Sequence, residues 1–286
     1  MQKAMGGVYI IGMGAVGAGL AKTFIARDVA LAGLWNRGAQ GAQRAAAFLG
    51  RTVDHGEFGE ALADAEVVLL CVSDSAVAEV ADKLRVFTAL RRDAVIAHVS
   101  GCLTHDSLGE FGGRGRASLH PLAACPNAEA AARVLPTAHY VFEGDDGALS
   151  RLRPLVAAIG ADMQTIATTA KARYHGAAVM ASNLLVALLE SAVDEAAAAG
   201  LPDGRRALLD LAAGALERLR ETDGPNALTG PIRRGDAATV AQNLAALSPE
   251  ARAVYRVLSV KALQLAKQAG LAAEHARALE ALLADG

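Results

Sequence analysis

The stretch Val8-Tyr-Ile-Ile-Gly-Met-Gly-Ala-Val-Gly-Ala-Gly19 decides the fold, because four apolar residues run straight into Gly12, Gly14 and Gly17. An apolar strand, a Gly-x-Gly-x-x-Gly turn and a helix, predicted here over Ala15 to Ala26, form the order in which a doubly wound α/β sheet holds a dinucleotide. The first glycine permits a tight turn off the strand. The second lets a pyrophosphate reach the backbone, and the third lets the helix pack close to the strand. The phosphates then meet free N–H groups at the positive end of the helix. Gly12, Gly14, Ala15, Val16 and Gly17 are therefore the expected phosphate-binding residues. A glycine triplet alone arises by chance in Gly- and Ala-rich sequence; its place between strand and helix gives this one its weight.

The next predicted strand, Val29 to Trp35, ends at Asn36-Arg37. At this point, about 20 residues beyond the glycines, an NAD-preferring site carries Asp or Glu for the ribose 2′-hydroxyl. Here no carboxylate stands in the way of a 2′-phosphate, and Arg37 can pair with that group and stack on the adenine. Arg44 adds a second positive charge nearby. The plainer reading leaves Arg37 on a solvated loop. The expected cofactor is NADP (as NADPH), with Asn36 and Arg37 at its adenosine end. Val72 and Ser73, closing the strand-like run from Glu66, and Gly101, after the run from Asp93 to Ser100, complete the expected contacts.

Composition narrows the class. The chain has 286 residues, 53% hydrophobic, with a formal net charge of −2. That is enough for one large or two ordinary domains, and the charge argues against nucleic-acid or anionic-membrane partners. Lys3 before an apolar stretch imitates a secretion signal, but that stretch is the first strand and glycine turn. No uninterrupted run of 18 apolar residues occurs. Cys71, Cys102 and Cys125 are odd in number and widely spaced, so they read as buried thiols of a cytoplasmic enzyme, with no disulfide framework and no metal site.

Further strands are predicted at Ala117 to His120, His139 to Glu143 and Asp162 to Ile166, with helices from Asp74 to Leu84 and Gly147 to Ile159. This alternation implies a doubly wound parallel sheet over residues 1–167. After Ala167 the composition turns to Ala, Leu, Glu and Arg, and helices are predicted at about 171–199, 204–221, 237–246, 249–270 and 273–284. Residues 168–286 thus read as an all-helical domain. Its first helix is apolar nearly all round between Ala177 and Leu189, so it is expected to be buried on every side, with a homodimer partner covering it.

Ligands of open α/β sheets bind at the carboxyl ends of strands. That points to Ser73, Asp74, Ser100, Gly101 and His120, although Asp74 is better explained as a helix cap. Ser100 and His120 are candidate catalytic groups; His120 precedes Pro121, which biases its backbone to an extended form. His175, Ser182 and Asn183 fall 7 and 8 residues apart on the apolar helix and so share one side of it. They form either a polar network in a dimer core or a stripe toward the nicotinamide. In the second reading His175 donates a proton, Asn183 orients a carbonyl and Ser182 binds substrate. A third group, Leu228-Thr-Gly-Pro-Ile-Arg-Arg-Gly-Asp236, makes a rigid turn. There Asp236 caps the next helix, and Arg234 is placed to hold a substrate carboxylate or is simply solvated.

Together the Gly12 to Gly17 loop, Ser100-Gly101, Ser118-Leu-His-Pro121, Tyr174-His175, Ser182-Asn183 and the Gly230 to Asp236 turn resemble the Rossmann-like proteins that carry a DUF2520 C-terminal domain. More distantly the chain is similar to the 6-phosphogluconate dehydrogenase-like superfamily, including 3-hydroxyisobutyrate dehydrogenases, pyrroline-5-carboxylate reductases and ketopantoate reductases. The N-terminal part is similar to domains labelled coenzyme F420-dependent NADP oxidoreductase. The resemblance implies a nicotinamide-binding domain joined to a helical dimerisation domain. Hydroxyacid dehydrogenases and ketopantoate reductases place a catalytic Lys shortly before an Asn. Asn183 matches that Asn, but Lys171 stands 12 residues before it, so either His175 substitutes or the step is absent. The expected function is NADPH-dependent reduction of a small carboxylated carbonyl or imine, a 2-keto acid such as ketopantoate being one candidate. The competing expectation is a non-catalytic NADP-binding dimer that senses redox state or serves a partner protein.

Overall fold

The computed structural model describes residues 7–201 and 203–284. The chain divides into two compact units, one ending at Val179 and the other starting at Met180. In the first unit Val8–Ile11 (β1) leads through the glycine loop into Ala15–Ala26 (α1). Leu31–Asn36 (β2), Ala39–Leu49 (α2), Asp54–His55 (β3), Val67–Leu70 (β4), Asp74–Arg85 (α3) and Val95–His98 (β5) follow. Then come Gly115–Leu122 (β6), Ala128–Val134 (α4), His139–Gly144 (β7), Asp146–Ala158 (α5) and Asp162–Thr165 (β8). The strands form one sheet in the order β3-β2-β1-β4-β5-β6-β7-β8. Its first six strands keep the order in which two mononucleotide-binding halves meet.

The sheet is not parallel throughout, as the alternation had led us to expect. β6 pairs antiparallel with β7, and β8 runs parallel to β7, so the last two strands are reversed. The connection explains it. β6 spans eight residues, about 26 Å at 3.3 Å per residue, whereas the seven-residue α4 is only about 10 Å long. Instead of carrying the chain back along the sheet, α4 packs on α1, where a Cβ on Gly19 would come within 2.4 Å of the Ala131 methyl. β7 therefore starts from the edge where β6 ended.

Both faces of the sheet are covered, and β1 shows how. Val8 and Ile10 point into a core with Phe24, Leu69 and Tyr140, while Tyr9 and Ile11 point into a second core with Trp35, Leu84 and Ile96. This is the two-residue period of a strand buried on both sides. At the end of β4 the N-cap of α3 is Ser73, and Asp74 is the first helical residue, one place from its expected role. Of the cysteines only Cys71 is fully buried; Cys102 is exposed and Cys125 half-buried, which corrects the expectation of three buried thiols.

The remaining elements are helical: Lys171–Ala181 (α6), Asn183–Ala198 (α7), Gly204–Glu221 (α8), Gly224–Ala227 (α9), Gly230–Arg234 (α10), Ala237–Ala246 (α11), Pro249–Gln268 (α12) and Ala273–Ala284 (α13). The second unit's core joins Ile232, Val240, Leu244, Leu263, Ala276, Leu279 and Leu283, from α10 to α13. Gly230 to Asp236, read as a turn, is one helical turn closed by Gly235 in the left-handed conformation.

The expected single helix from Lys171 to Ala199 differs in two ways. It is interrupted at Ser182, whose backbone (φ −126°, ψ −76°) leaves the helical region. Ser182 Oγ donates to Asn183 Oδ1 at 2.9 Å, the kind of local bond that competes with helix. Within the single chain none of the sixteen residues of α7 is buried, and Leu184 and Val186 are 54% and 60% exposed, so the chain itself does not enclose this helix. By length and composition the stretch Thr168–Ala198 could cross a membrane. Its Glu190, however, forms an ion pair with Arg205 of α8. The units divide later than the composition change after Ala167 because the first turns of α6 are bonded into the first unit.

Candidate active site

The glycine loop has the form a dinucleotide needs. Gly12 has φ +97°, and a Cβ there would lie 2.4 Å from the Cys71 carbonyl oxygen. A Cβ on Gly17 would lie 1.9 Å from the Gly12 carbonyl oxygen, so these two glycines allow strand, loop and helix to close on one another. Gly14 is different. It is exposed, it is the N-cap of α1, and a Cβ on it would meet nothing within 4 Å. No side chain caps this end and no acidic residue occupies its first turn. The N–H groups of Ala15, Val16 and Gly17 are thus open to an anion, and the residues present fit a bound pyrophosphate.

Asn36 and Arg37 have separate tasks. The Asn36 side chain accepts from the Met13 N–H at 3.1 Å and donates to the Gly38 carbonyl at 3.1 Å. It ties the glycine loop to the end of β2, at the place where the adenosine end of the cofactor is expected. Arg37 is exposed and lines a depression of about 480 Å³ with Trp35, Phe58 and Lys83. Glu57 lines it too and Lys83 is paired with Glu79 at 2.7 Å, so Arg37 beside the aromatic wall is the group suited to a phosphorylated adenosine.

A polar cluster lies at the carboxyl end of β5 and along β6, and sheet register builds it. β5 stops at His98 opposite Ser118, so β6 continues without that neighbour through His120 and Pro121. His120 lies inside a strand running to Leu122, not at its end, and Pro121 takes a place where no β5 partner requires its N–H. On the other side Ser118 pairs with Glu143, and β8 ends at Thr165, level with Phe142. The chain leaves the sheet at that height, and the next residues drop onto the Ser118–Glu143 pair. Thr168 Oγ1 donates to Glu143 Oε1 at 2.8 Å, and Lys171 Nζ donates to Ser118 Oγ at 2.5 Å.

Lys171 is 1% exposed, and Glu143, His98 and Ser118 are fully buried. Glu143 also accepts from the His105 backbone N–H at 3.0 Å and bonds the His105 ring Nδ1 at 2.5 Å. Ser118 Oγ donates its one proton to the Ser100 carbonyl at 2.9 Å, so toward Lys171 it can only accept. Burial lowers the pKa of Lys171, against the pull of Glu143. On the same helix face, three and four residues on, stand Tyr174 and His175. Tyr174 Oη bonds His120 Nδ1 at 2.7 Å, and the His120 and His175 rings meet edge to face with centroids 6.2 Å apart. Burial pushes the Tyr174 phenol up to about 12. Burial first, then Lys171 and His175, brings His120 down to about 4. His175 Nδ1 is buried without a hydrogen-bond partner.

Gly101 lies between the two rings. A Cβ there would fall 2.6 Å from His175 Nδ1 and 2.9 Å from His120 Nε2, so glycine is what allows both imidazoles to approach this loop. Ser100 shapes the loop. Its Oγ accepts from the N–H groups of Cys102 and Leu103, and its own N–H donates to His98 Nδ1. These bonds give Ser100 a part in holding the loop. His98 accepts at Nδ1, so its Nε2 carries the proton and donates to the Thr104 carbonyl at 3.0 Å.

Of the residues singled out from sequence, the structure brings together Ser100, Gly101, His120 and His175. Val72 and Ser73 follow β4, beside the Gly12 turn. Ser182 and Asn183 belong to the second unit, are exposed and bond each other where the helix is interrupted. Arg234 is exposed at the end of α10, while Arg233 donates to the Ala269 carbonyl after α12. Sequence reasoning missed Lys171, Tyr174, Ser118 and Glu143 as members of the site. The spacing of Lys171, Tyr174 and His175 was the available signal, since it puts all three on one face.

Stability should fall with acid through this cluster. The folded pKa of His120 lies below the ordinary 6.5, so its contribution is complete above about pH 6.5 and is lost as pH falls toward 4. The loss is at most about 3 kcal/mol, at roughly 1.4 kcal/mol per unit. His98, also lowered by burial, acts in the same sense. Urea unfolding between pH 7.5 and 4.5 should show a shallower pH slope in His120→Asn than in the wild type; equal slopes contradict this.

Two family models match separate segments of the chain, the second beginning within the sheet unit. Residues 7–101 match the family model described as NADP oxidoreductase, coenzyme F420-dependent, and residues 138–262 match the model of DUF2520, a domain of unknown function. No curated protein matches the sequence. Among solved structures, TM1727 from Thermotoga maritima is 25% identical with a TM-score of 0.72, over 91% of this chain and 98% of that one. BF3122 from Bacteroides fragilis, assigned as an NADP oxidoreductase, is 18% identical with a TM-score of 0.71, over 91% and 99%. A reductive aminase from Aspergillus terreus, in complex with NADPH and ethyl-5-oxohexanoate, is 16% identical with a TM-score of 0.58, over 98% and 93%. The last two show likeness of fold. The fold is thus Rossmann-like, with one segment similar to the NADP oxidoreductase model and a later one similar to DUF2520.

Proposed function

We propose that the protein is an NADPH-dependent reductase of a small carbonyl or imine compound, with carboxylated 2-keto acids of the ketopantoate kind among the candidates. The observation that carries this reading is the buried, unpartnered His175 Nδ1 beside Gly101 and His120, at the sheet edge that also holds the glycine loop. An orphaned buried ring nitrogen costs about 1–3 kcal/mol unless a ligand satisfies it. Bound on the glycine loop, NADPH supplies a hydride to the carbonyl or imine carbon. His175 then delivers the proton to the substrate heteroatom, and His120, neutral at physiological pH, binds that atom by a hydrogen bond. The fold relatives give support: the Aspergillus terreus enzymes are held with NADPH and a keto ester, or with NADPH4 and dibenz[c,e]azepine.

A non-catalytic NADP-binding protein is the second reading, favoured by the outward-facing Ser182–Asn183 pair. A screen of NADPH oxidation against 2-keto acids, keto esters and cyclic imines separates the two. We further propose that the protein works as a homodimer. Exposed apolar side chains are spread over α7, α8 and α12, among them Val186, Leu211 and Val257. A second copy can cover such a broad surface, whereas a membrane would have to accept the Glu190–Arg205 ion pair.

NADPH should bind at least about tenfold more tightly than NADH, because one charge-assisted phosphate contact is worth about 1.5–3 kcal/mol. Nucleotide fluorescence titration checks this, and equal affinities that Arg37→Ala leaves unchanged would remove Arg37 from the site. With an active substrate, His175→Ala should lower turnover by about 10²–10⁴-fold while the melting temperature stays near the wild-type value. A large loss of stability with little loss of turnover would mark His175 as structural. Sedimentation at micromolar concentration should give a dimer; a stable monomer would sink the homodimer.

A further inference from the structure

We infer that Lys171 and Tyr174 are positioning residues that act through His120, fixing its ring in the tautomer that presents Nε2–H toward Gly101 and His175. The inference rests on the reading of this cluster as the active site and names what sets the polarity of its donor.

One chain of bonds links Ser100, Ser118 and Lys171, and Lys171 stands over the ring of Tyr174, which bonds His120. Ser118 Oγ spends its only proton on the Ser100 carbonyl, so the bond to Lys171 has the lysine as donor. The ammonium is thereby held in a fixed place, 5.8 Å from the centre of the Tyr174 ring. An ammonium over an aromatic face favours that ring's location by cation–π attraction. The Tyr174 phenol is protonated at all ordinary pH, because burial holds it up at about 12. Its hydroxyl proton needs an acceptor, and the partner in reach is His120 Nδ1 at 2.7 Å. A buried donor left without an acceptor is costly, so Tyr174 donates and Nδ1 accepts. The ring proton of neutral His120 must then sit on Nε2, the atom lying beside the Gly101 loop.

Charge keeps the ring in that neutral state. The groups that act on His120 are Lys171 and His175 from α6, which oppose a second proton, and Asp74 at the start of α3, which favours one. Burial adds to the first pair. The outcome is a neutral hydrogen-bond donor, suited to the oxygen of a carbonyl or of an alkoxide forming from it. A ligand of this chemistry would accept from His120 Nε2 while His175 Nδ1 finds its missing partner in the same heteroatom.

The test is made on ligand-free protein with ¹⁵N-labelled histidine rings, His120 being assigned by its absence in His120→Asn. In long-range ¹H–¹⁵N spectra at pH 7 the wild type should show His120 as the Nε2–H tautomer. Tyr174→Phe should shift the ring toward a mixture of tautomers. Lys171→Met should raise the titration midpoint of His120 by about 1 pH unit or more, and Lys171→Arg should keep it near wild type. An Nδ1–H tautomer in the wild type overturns the proposal, as does an unchanged midpoint in folded Lys171→Met. Should Lys171→Met fail to fold, an unaltered tautomer in Tyr174→Phe is decisive against it. Absence of reductase activity, with these spectra as expected, would count against the proposed reaction and leave the tautomer assignment standing.

Discussion

A buried ammonium on a single serine is the constraint on which the site depends. Lys171 is almost wholly removed from water, and taking a charge out of water is tolerable only when fixed dipoles and an opposite charge replace the lost solvation. Ser118 supplies the dipole and Glu143, one strand over, supplies the charge. Because Ser118 and Glu143 are register partners, they catch Lys171 and Thr168 together as the chain leaves β8. One pairing between two strands thereby sets where α6 begins and which of its side chains face β6.

The same constraint explains why the two histidines are unlike. His120 belongs to a strand that has outrun its β5 neighbour, and it is held at Nδ1 by Tyr174. His175 is carried on the helix that Lys171 anchors, and its Nδ1 has no protein partner. In the proposed reaction, one committed and one uncommitted imidazole would separate orientation from proton delivery, which a pair of equivalent rings would not do. The glycine loop at the end of β1 is simpler. Its steric demands at Gly12 and Gly17 are met inside the fold, and Gly14 is left facing open space.

Sequence revealed what depends on near neighbours. The glycine loop, the bounds of α1, α11 and α13, and the change from alternating to all-helical pattern follow from local spacing and capping, and the structure has them where the pattern puts them. The reversal of β7 and β8 was not legible, because strand direction depends on how far a short connecting helix can carry the chain. Spacing along the chain relates Lys171 only to Asn183, twelve residues on, whereas its partner Ser118 is 53 residues away on the sheet. The face shared by His175, Ser182 and Asn183 was a valid inference for an unbroken helix. Ser182 breaks it, and both residues at the break are weak helix formers whose side chains bond each other. The apolar character of α7 is plain in the sequence, but the single chain leaves all of its residues unburied.

The unequal burial of the three cysteines has a practical side. Thiol reagents attack the thiolate and need access to it. Cys71 is buried and pushed up to about 12, and burial also raises Cys125, whereas Cys102 is exposed and follows directly on Gly101. An alkylating fluorophore or spin label would therefore attach at Cys102 in preference to the others, with no cysteine removed beforehand. The chain carries its own reporter position one residue from the loop on which both imidazoles converge.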